Sequence, residues 1–124
     1  MKYEEVEKYL INTFPDFIID KINEGLPYCV AGSFAHYLLE AYKDNSFNTL
    51  ILAGKFIEEL YSYGNKKIDE LATIGFLEAI QNVWGNNSTD PEEMMKYLGS
   101  TSQKWWVKLN LFWDGDIHAL KEDR

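Results

Sequence analysis

FNTLILAGKFIEELYSYGNKKIDELATIGFLEAIQNVW, residues 47–84, holds two apolar periodicities separated by a turn. In the first half Leu50, Ala53, Ile57 and Leu60 recur at three- and four-residue steps, with Leu52, Phe56 and Tyr63 beside them. In the second, Ile68, Ala72, Phe76, Ile80 and Val83 do the same, with Leu71, Ile74, Leu77 and Trp84 alongside. An α-helix turns once every 3.6 residues, so each set forms one stripe. A helix apolar on more than one side belongs in the centre of a fold. Gly64-Asn65 fits a left-handed helix cap. The spacing therefore predicts helices over about 47–63 and 66–84, antiparallel because their link is short. Gly75 would let a third helix come close.

Similar signals run outward in both directions. Tyr3, Val6, Leu10, Ile11 and Phe14 predict a helix over about 2–14, ended by Pro15. Residues 16–22 read as a short helix burying Phe17, Ile18 and Ile19, broken by Gly25 and Pro27. Pro27 suits the first turn of a helix over 27–43, with Val30, Phe34, Tyr37, Leu38 and Ala41 inward. Ser46 or Asn48 can cap the helix after it. Downstream, Thr89 or Asp90 caps a short helix at 91–98, and a last helix runs from Ser100 or Thr101 to Trp113. No Asn-Gly or Asp-Gly hairpin joins alternating runs. The expectation is an all-α single-domain irregular helical bundle, or a short stack of antiparallel helical hairpins, with about six to seven helices. Residues 1–113 form the domain and 114–124 a charged tail. Residues 71–78 resemble the inner helix of a HEAT-type pair, although no fixed-period repeat is present.

The 124 residues suit one domain, and 20 acidic against 12 basic side chains give a formal charge of −8. Arg124 is the only arginine. Nucleic-acid binders carry basic stripes, so nucleic acid is not an expected partner. Anionic membrane surfaces are disfavoured on the same ground. A basic protein is the natural complement, while solubility alone would also account for the charge. Cys29 has no partner for a disulfide, and residues 1–5 lack the apolar run of a secretory signal. A cytoplasmic protein is expected.

Chemistry finds little foothold in the pattern. His36 and Glu40 share a helix face, but a metal site needs more converging ligands. Asp114, Asp116 and His118 alternate without the distal glutamate of a calcium loop. Cys29, between Tyr28 and Val30, reads as core packing. No catalytic residue, metal or cofactor is expected, and the chain reads as a non-enzyme. The acidic side chains are the more informative set. Glu58, Glu59, Asp69, Glu70, Glu78, Asp90, Glu92 and Glu93 are candidate partner-binding residues. Antiparallel central helices would bring Glu58 and Glu59 near Asp69 and Glu70, with Lys66 and Lys67 in the same corner. A merely solvated face, with ion pairs worth under about 1 kcal/mol each, is the alternative. Trp105, Trp106 and Trp113 cannot share one narrow stripe, since adjacent residues project about 100° apart. Trp106 joins the candidate binding set.

Residues 71–82, LATIGFLEAIQN, and 97–106, YLGSTSQKWW, continuing into 109–113, LNLFW, resemble a small bacterial family of helical proteins. The likeness spans about Tyr28 to Trp113. It implies an immunity protein of a polymorphic-toxin or contact-dependent growth-inhibition system. Such a protein binds and neutralises a cognate toxin, here expected to be a basic nuclease. A non-catalytic helical adaptor or regulatory protein-binding domain is the competing expectation. A small enzyme or ligand-binding bundle using His36, Glu40 and Cys29 is a third. The sequence assigns no oligomeric state.

Overall fold

Phe34 sits at the centre of the hydrophobic interior, and the helices are arranged around it. The computed structural model describes residues 1–121. A 3-10 turn (Tyr3–Glu5) leads into α1 (Val6–Thr13), followed by α2 (Pro27–Lys43) and α3 (Phe47–Leu60). Another 3-10 turn (Tyr61–Tyr63) extends α3 to Gly64, whose φ of 63° is left-handed. Next comes a continuous rod of α4 (Lys66–Glu70), a π-helical segment (Leu71–Leu77) and α5 (Glu78–Asn86). A 3-10 segment (Pro91–Tyr97) then connects to α6 (Ser100–Trp113). The protein is an all-α bundle, and no strand occurs among the described residues.

α2 lies against the rod and against α3. Phe34 meets Phe76 edge-on at 5.9 Å and Phe14 at 4.9 Å between ring centres, and Phe56 meets Phe76 at 5.6 Å. Offset and edge-to-face pairs of this kind add to the gain from burial. Trp84 is fully buried and its indole N–H donates to the Ala35 carbonyl at 3.2 Å. At Gly75 an added Cβ would meet the Ala31 Cβ of α2 at an ordinary 3.6 Å, and its tight neighbour would be the Leu71 side chain of the same rod, at 2.8 Å.

Three local expectations are corrected. Residues 16–22 form no α-helix, only a 3-10 turn (Lys21–Asn23). Phe17 anchors that stretch against Phe34 and Tyr37, with Ile19 partly buried beside the core, while Ile18 is 85% exposed. So short a helix cannot repay its nucleation without an apolar face to bury. The 91–98 segment is 3-10, with the Asp90 side chain accepting from the Glu92 N–H at 3.0 Å. The rod also changes to π geometry over seven residues, which a repeating apolar stripe does not reveal.

Beyond Trp113 the chain turns back. The Asp116 N–H bonds to the Leu111 carbonyl, and Leu120 packs against the core. Residues 122–124 of the expected tail lie outside the described residues.

Candidate functional site

The corner where α3 gives way to α4 is built by two tight devices. Gly64 supplies the left-handed residue, and the Asn65 side chain accepts from the Lys67 and Ile68 N–H groups, satisfying donors the first helical turn would leave bare. Glu59 lies on one side of this turn and Lys67 and Glu70 on the other. The first seventy residues place four tyrosines around them.

The Tyr9 and Tyr63 hydroxyls both donate to the exposed Glu59 carboxylate, Tyr63 at 3.1 Å. The Tyr28 hydroxyl reaches Glu70 at 3.4 Å. Burial, followed by the neighbouring carboxylates, raises the pKa of Tyr3, Tyr9 and Tyr63. Burial and then the charge of Glu70 push Tyr28 up to about 12. The hydroxyls of Tyr9, Tyr28 and Tyr63 therefore stay protonated at neutral pH and serve as donors to the acids. Lys67 Nζ lies 5.2 Å from the Tyr3 ring centre. Tyr3, Tyr28, Lys67 and Glu70 together line a cavity of about 250 Å³.

The other acidic candidates have different employment. Glu58 turns away from the corner and caps α6. It accepts from the Ser102 N–H and hydroxyl, each at 2.8 Å, and from the Thr101 N–H at 3.2 Å. Burial pushes its pKa up, but these hydrogen bonds from Ser102 and Thr101 prevail and hold it below the ordinary 4.5. A carboxylate with a depressed folded pKa stabilises the fold above its unfolded value. That contribution is lost as the pH falls through the folded value. Glu58→Gln is therefore expected to cost about 1 kcal/mol at pH 7, as loss of a helix cap does. It should also flatten the loss of stability below pH 4.5. Unfolding free energy measured against pH for the two proteins checks both points.

Asp69 lies with Lys66, Thr73, Lys104, Trp105 and Leu120 along an open groove of about 460 Å³ between the rod and α6. Lys108 and Lys104 hold their ammonium groups 4.8 and 5.8 Å from the Trp105 ring centre, so this face carries both signs of charge. Glu78 is half-buried, and burial raises its pKa. Asp90 caps the 3-10 segment, and Glu93 pairs with Lys96 at 4.0 Å. Glu92 accepts from the Trp106 indole at 3.1 Å and from the Asn110 amide at 2.8 Å. Trp106 itself is fully buried. That corrects its place among surface residues; the exposed indole of α6 is Trp113, at 54%.

The eight acids thus do not form one patch. Glu59 and Glu70 flank the turn, each held by its own tyrosines, which sequence reasoning passed over. Glu59 and Tyr63 are four residues apart on a helical path and could have been paired in advance. Tyr9 and Glu59 are 50 residues apart, and only the tertiary fold brings them together. Cys29 is exposed, which corrects its reading as core. His36 is exposed, and Glu40 pairs with Lys43 at 3.9 Å. Among the described residues no helix is long and apolar enough to cross a membrane.

Comparison with curated proteins and with solved structures finds no match. A family model does match, over residues 7–114, which takes in α1 from its second residue, the other five α-helices, and both halves of the tyrosine–carboxylate corner except Tyr3. The chain belongs to the family described as a domain of unknown function, DUF7674.

Proposed function

We propose that this chain is a non-catalytic binding domain that docks a basic protein through the corner formed by Glu59, Glu70 and their tyrosines. Its specific role on this reading is that of a cytoplasmic immunity protein, neutralising a cognate toxin domain. The observation that carries the proposal is the state of Glu59 and Glu70. Both are exposed, both are oriented by tyrosine hydroxyls, and they sit in a chain of net charge −8.

Tyrosine and carboxylate suit such a surface for separate reasons. A tyrosine ring supplies a large contact area at low entropic cost, because it has only two side-chain torsions to fix. Tyrosines are also enriched among residues that dominate binding energy. Pre-oriented carboxylates steer a cationic partner during encounter and fix its register. A toxin nuclease carries positive charge because it must hold phosphates, so an acidic inhibitor can cover the same ground. The specific form rests on what the resemblance of residues 71–82 and 97–113 to a small bacterial family of helical proteins implies.

The test is to identify the open reading frame adjacent to the gene and co-express its product, which on this reading is a toxin. Growth should be rescued, and the purified pair should associate more slowly as salt rises, by at least about tenfold between low and high ionic strength. Glu59→Gln with Glu70→Gln should lower the association rate by a larger factor than it raises the dissociation rate. Absence of rescue, or association indifferent to salt, defeats the proposal.

A further inference from the structure

The small cavity at the corner has a more specific chemistry than the surface around it. Four side chains line it: Tyr3, Tyr28, Lys67 and Glu70. Two are aromatic, one is a carboxylate, and the fourth is a cation already placed 5.2 Å from the Tyr3 ring centre. Its volume of about 250 Å³ exceeds the roughly 30 Å³ share of one water several-fold, so a side-chain head group has room there.

We propose that this slot receives one cationic side chain of the basic partner, preferentially an arginine, and that Lys67 is its intramolecular stand-in. The inference rests on the basic-partner reading above and names the group that anchors it. Tyrosine faces attract cations through their ring quadrupole. Glu70 accepts one long hydrogen bond, at 3.4 Å, from the Tyr28 hydroxyl, while a carboxylate offers about four acceptor sites. A guanidinium can fill the remainder with two parallel N–H donors, which an ammonium such as that of Lys67 cannot do. Guanidinium is also more weakly hydrated and stacks on rings, so displacing Lys67 by arginine is favoured in both respects. The raised pKa of Tyr28 keeps its hydroxyl a donor, which holds Glu70 at the rim of the slot.

The probe is N-acetyl-argininamide, titrated into the intact protein and followed by NMR. Saturable shifts should centre on Tyr3, Tyr28, Lys67 and Glu70, with N-acetyl-lysinamide binding more weakly. Tyr28→Ala should weaken the arginine probe about two- to fivefold, the range of an exposed cation–π contact. Glu70→Gln should weaken it by a similar factor. Lys67→Ala removes the competitor and should tighten binding. Unchanged thermal midpoints for the variants show that folding is retained. Non-saturating or scattered shifts, or a Lys67→Ala variant that binds no better than the parent, overturn the slot. A hexalysine peptide in parallel separates the two ideas. Salt-sensitive hexalysine binding without an arginine site defeats the slot alone, whereas loss of both defeats the acidic docking surface as well.

Discussion

Trp106→Ala is expected to lower the stability of the fold by about 3–5 kcal/mol, the usual range for emptying a buried tryptophan site. A domain of this size has only about 5–15 kcal/mol in total, so the variant should be close to unfolding at body temperature. The ring is fully buried where α6 faces the 3-10 segment, and the backbone carbonyl of the same residue accepts from Gln81 at 3.3 Å. Its indole N–H is shared between both oxygens of Glu92, each at 3.1 Å. Glu92 is exposed, so water can replace the indole donor when the ring is removed. The cost therefore resides mainly in the cavity, and two companion variants divide it. Trp106→Phe keeps most of the volume and should lose about 1–3 kcal/mol. Glu92→Gln keeps the ring and should lose under about 1.5 kcal/mol. Urea unfolding followed by far-ultraviolet circular dichroism measures all three. A loss below about 1 kcal/mol for Trp106→Ala would contradict the buried assignment. Because the ring does not reach the surface, Trp106→Phe should also leave partner affinity per folded molecule unchanged.

Trp106 also shows where the sequence was informative and where it was not. The helix carrying it was legible, because Trp105, Leu109 and Phe112 recur at helical steps. Which indole faces inward was not. Burial selects Ser102, Trp106 and Leu109, a stripe rotated from the expected one, because Glu58 fixes the start of α6 through Ser102. That contact spans 44 residues, and no local pattern encodes it. The same reason explains the acidic set. Charge and spacing placed Glu58 and Glu59 at the corner together, yet neighbours on a helix point in different directions. Glu58 went to the α6 backbone and Glu59 to Tyr9 and Tyr63. The central rod, by contrast, was readable nearly residue by residue. Its two wide stripes must be buried whatever surrounds them. Only its π geometry escaped, since an inserted residue per turn alters hydrogen bonding without erasing apolar character.

Gly54→Ala is the second large effect expected, and it runs against helix propensity. Alanine in place of glycine inside a helix ordinarily stabilises by about 1 kcal/mol. At Gly54 an added Cβ would lie 1.8 Å from the Tyr97 carbonyl oxygen and 2.7 Å from its carbon. These are backbone atoms, so no side-chain rotation relieves the clash. Either α3 or the end of the 3-10 segment must move. That segment carries Met94 and leads into Leu98, both buried, and presents Glu92 to Trp106. Moving it opens the packing under α6. Overpacking commonly costs about 1–3 kcal/mol, and here the absence of any flexible partner places the expected loss at about 4 kcal/mol. Gly32 supplies the matched comparison. It lies inside α2, and an added Cβ there meets nothing within 4 Å. Gly32→Ala should therefore stabilise by up to about 1 kcal/mol through propensity and a less flexible unfolded chain. Chemical denaturation of the pair gives opposite signs if α3 touches the Tyr97 backbone as closely as described. A Gly54→Ala protein as stable as its parent would mean that the 3-10 segment does not rest on α3.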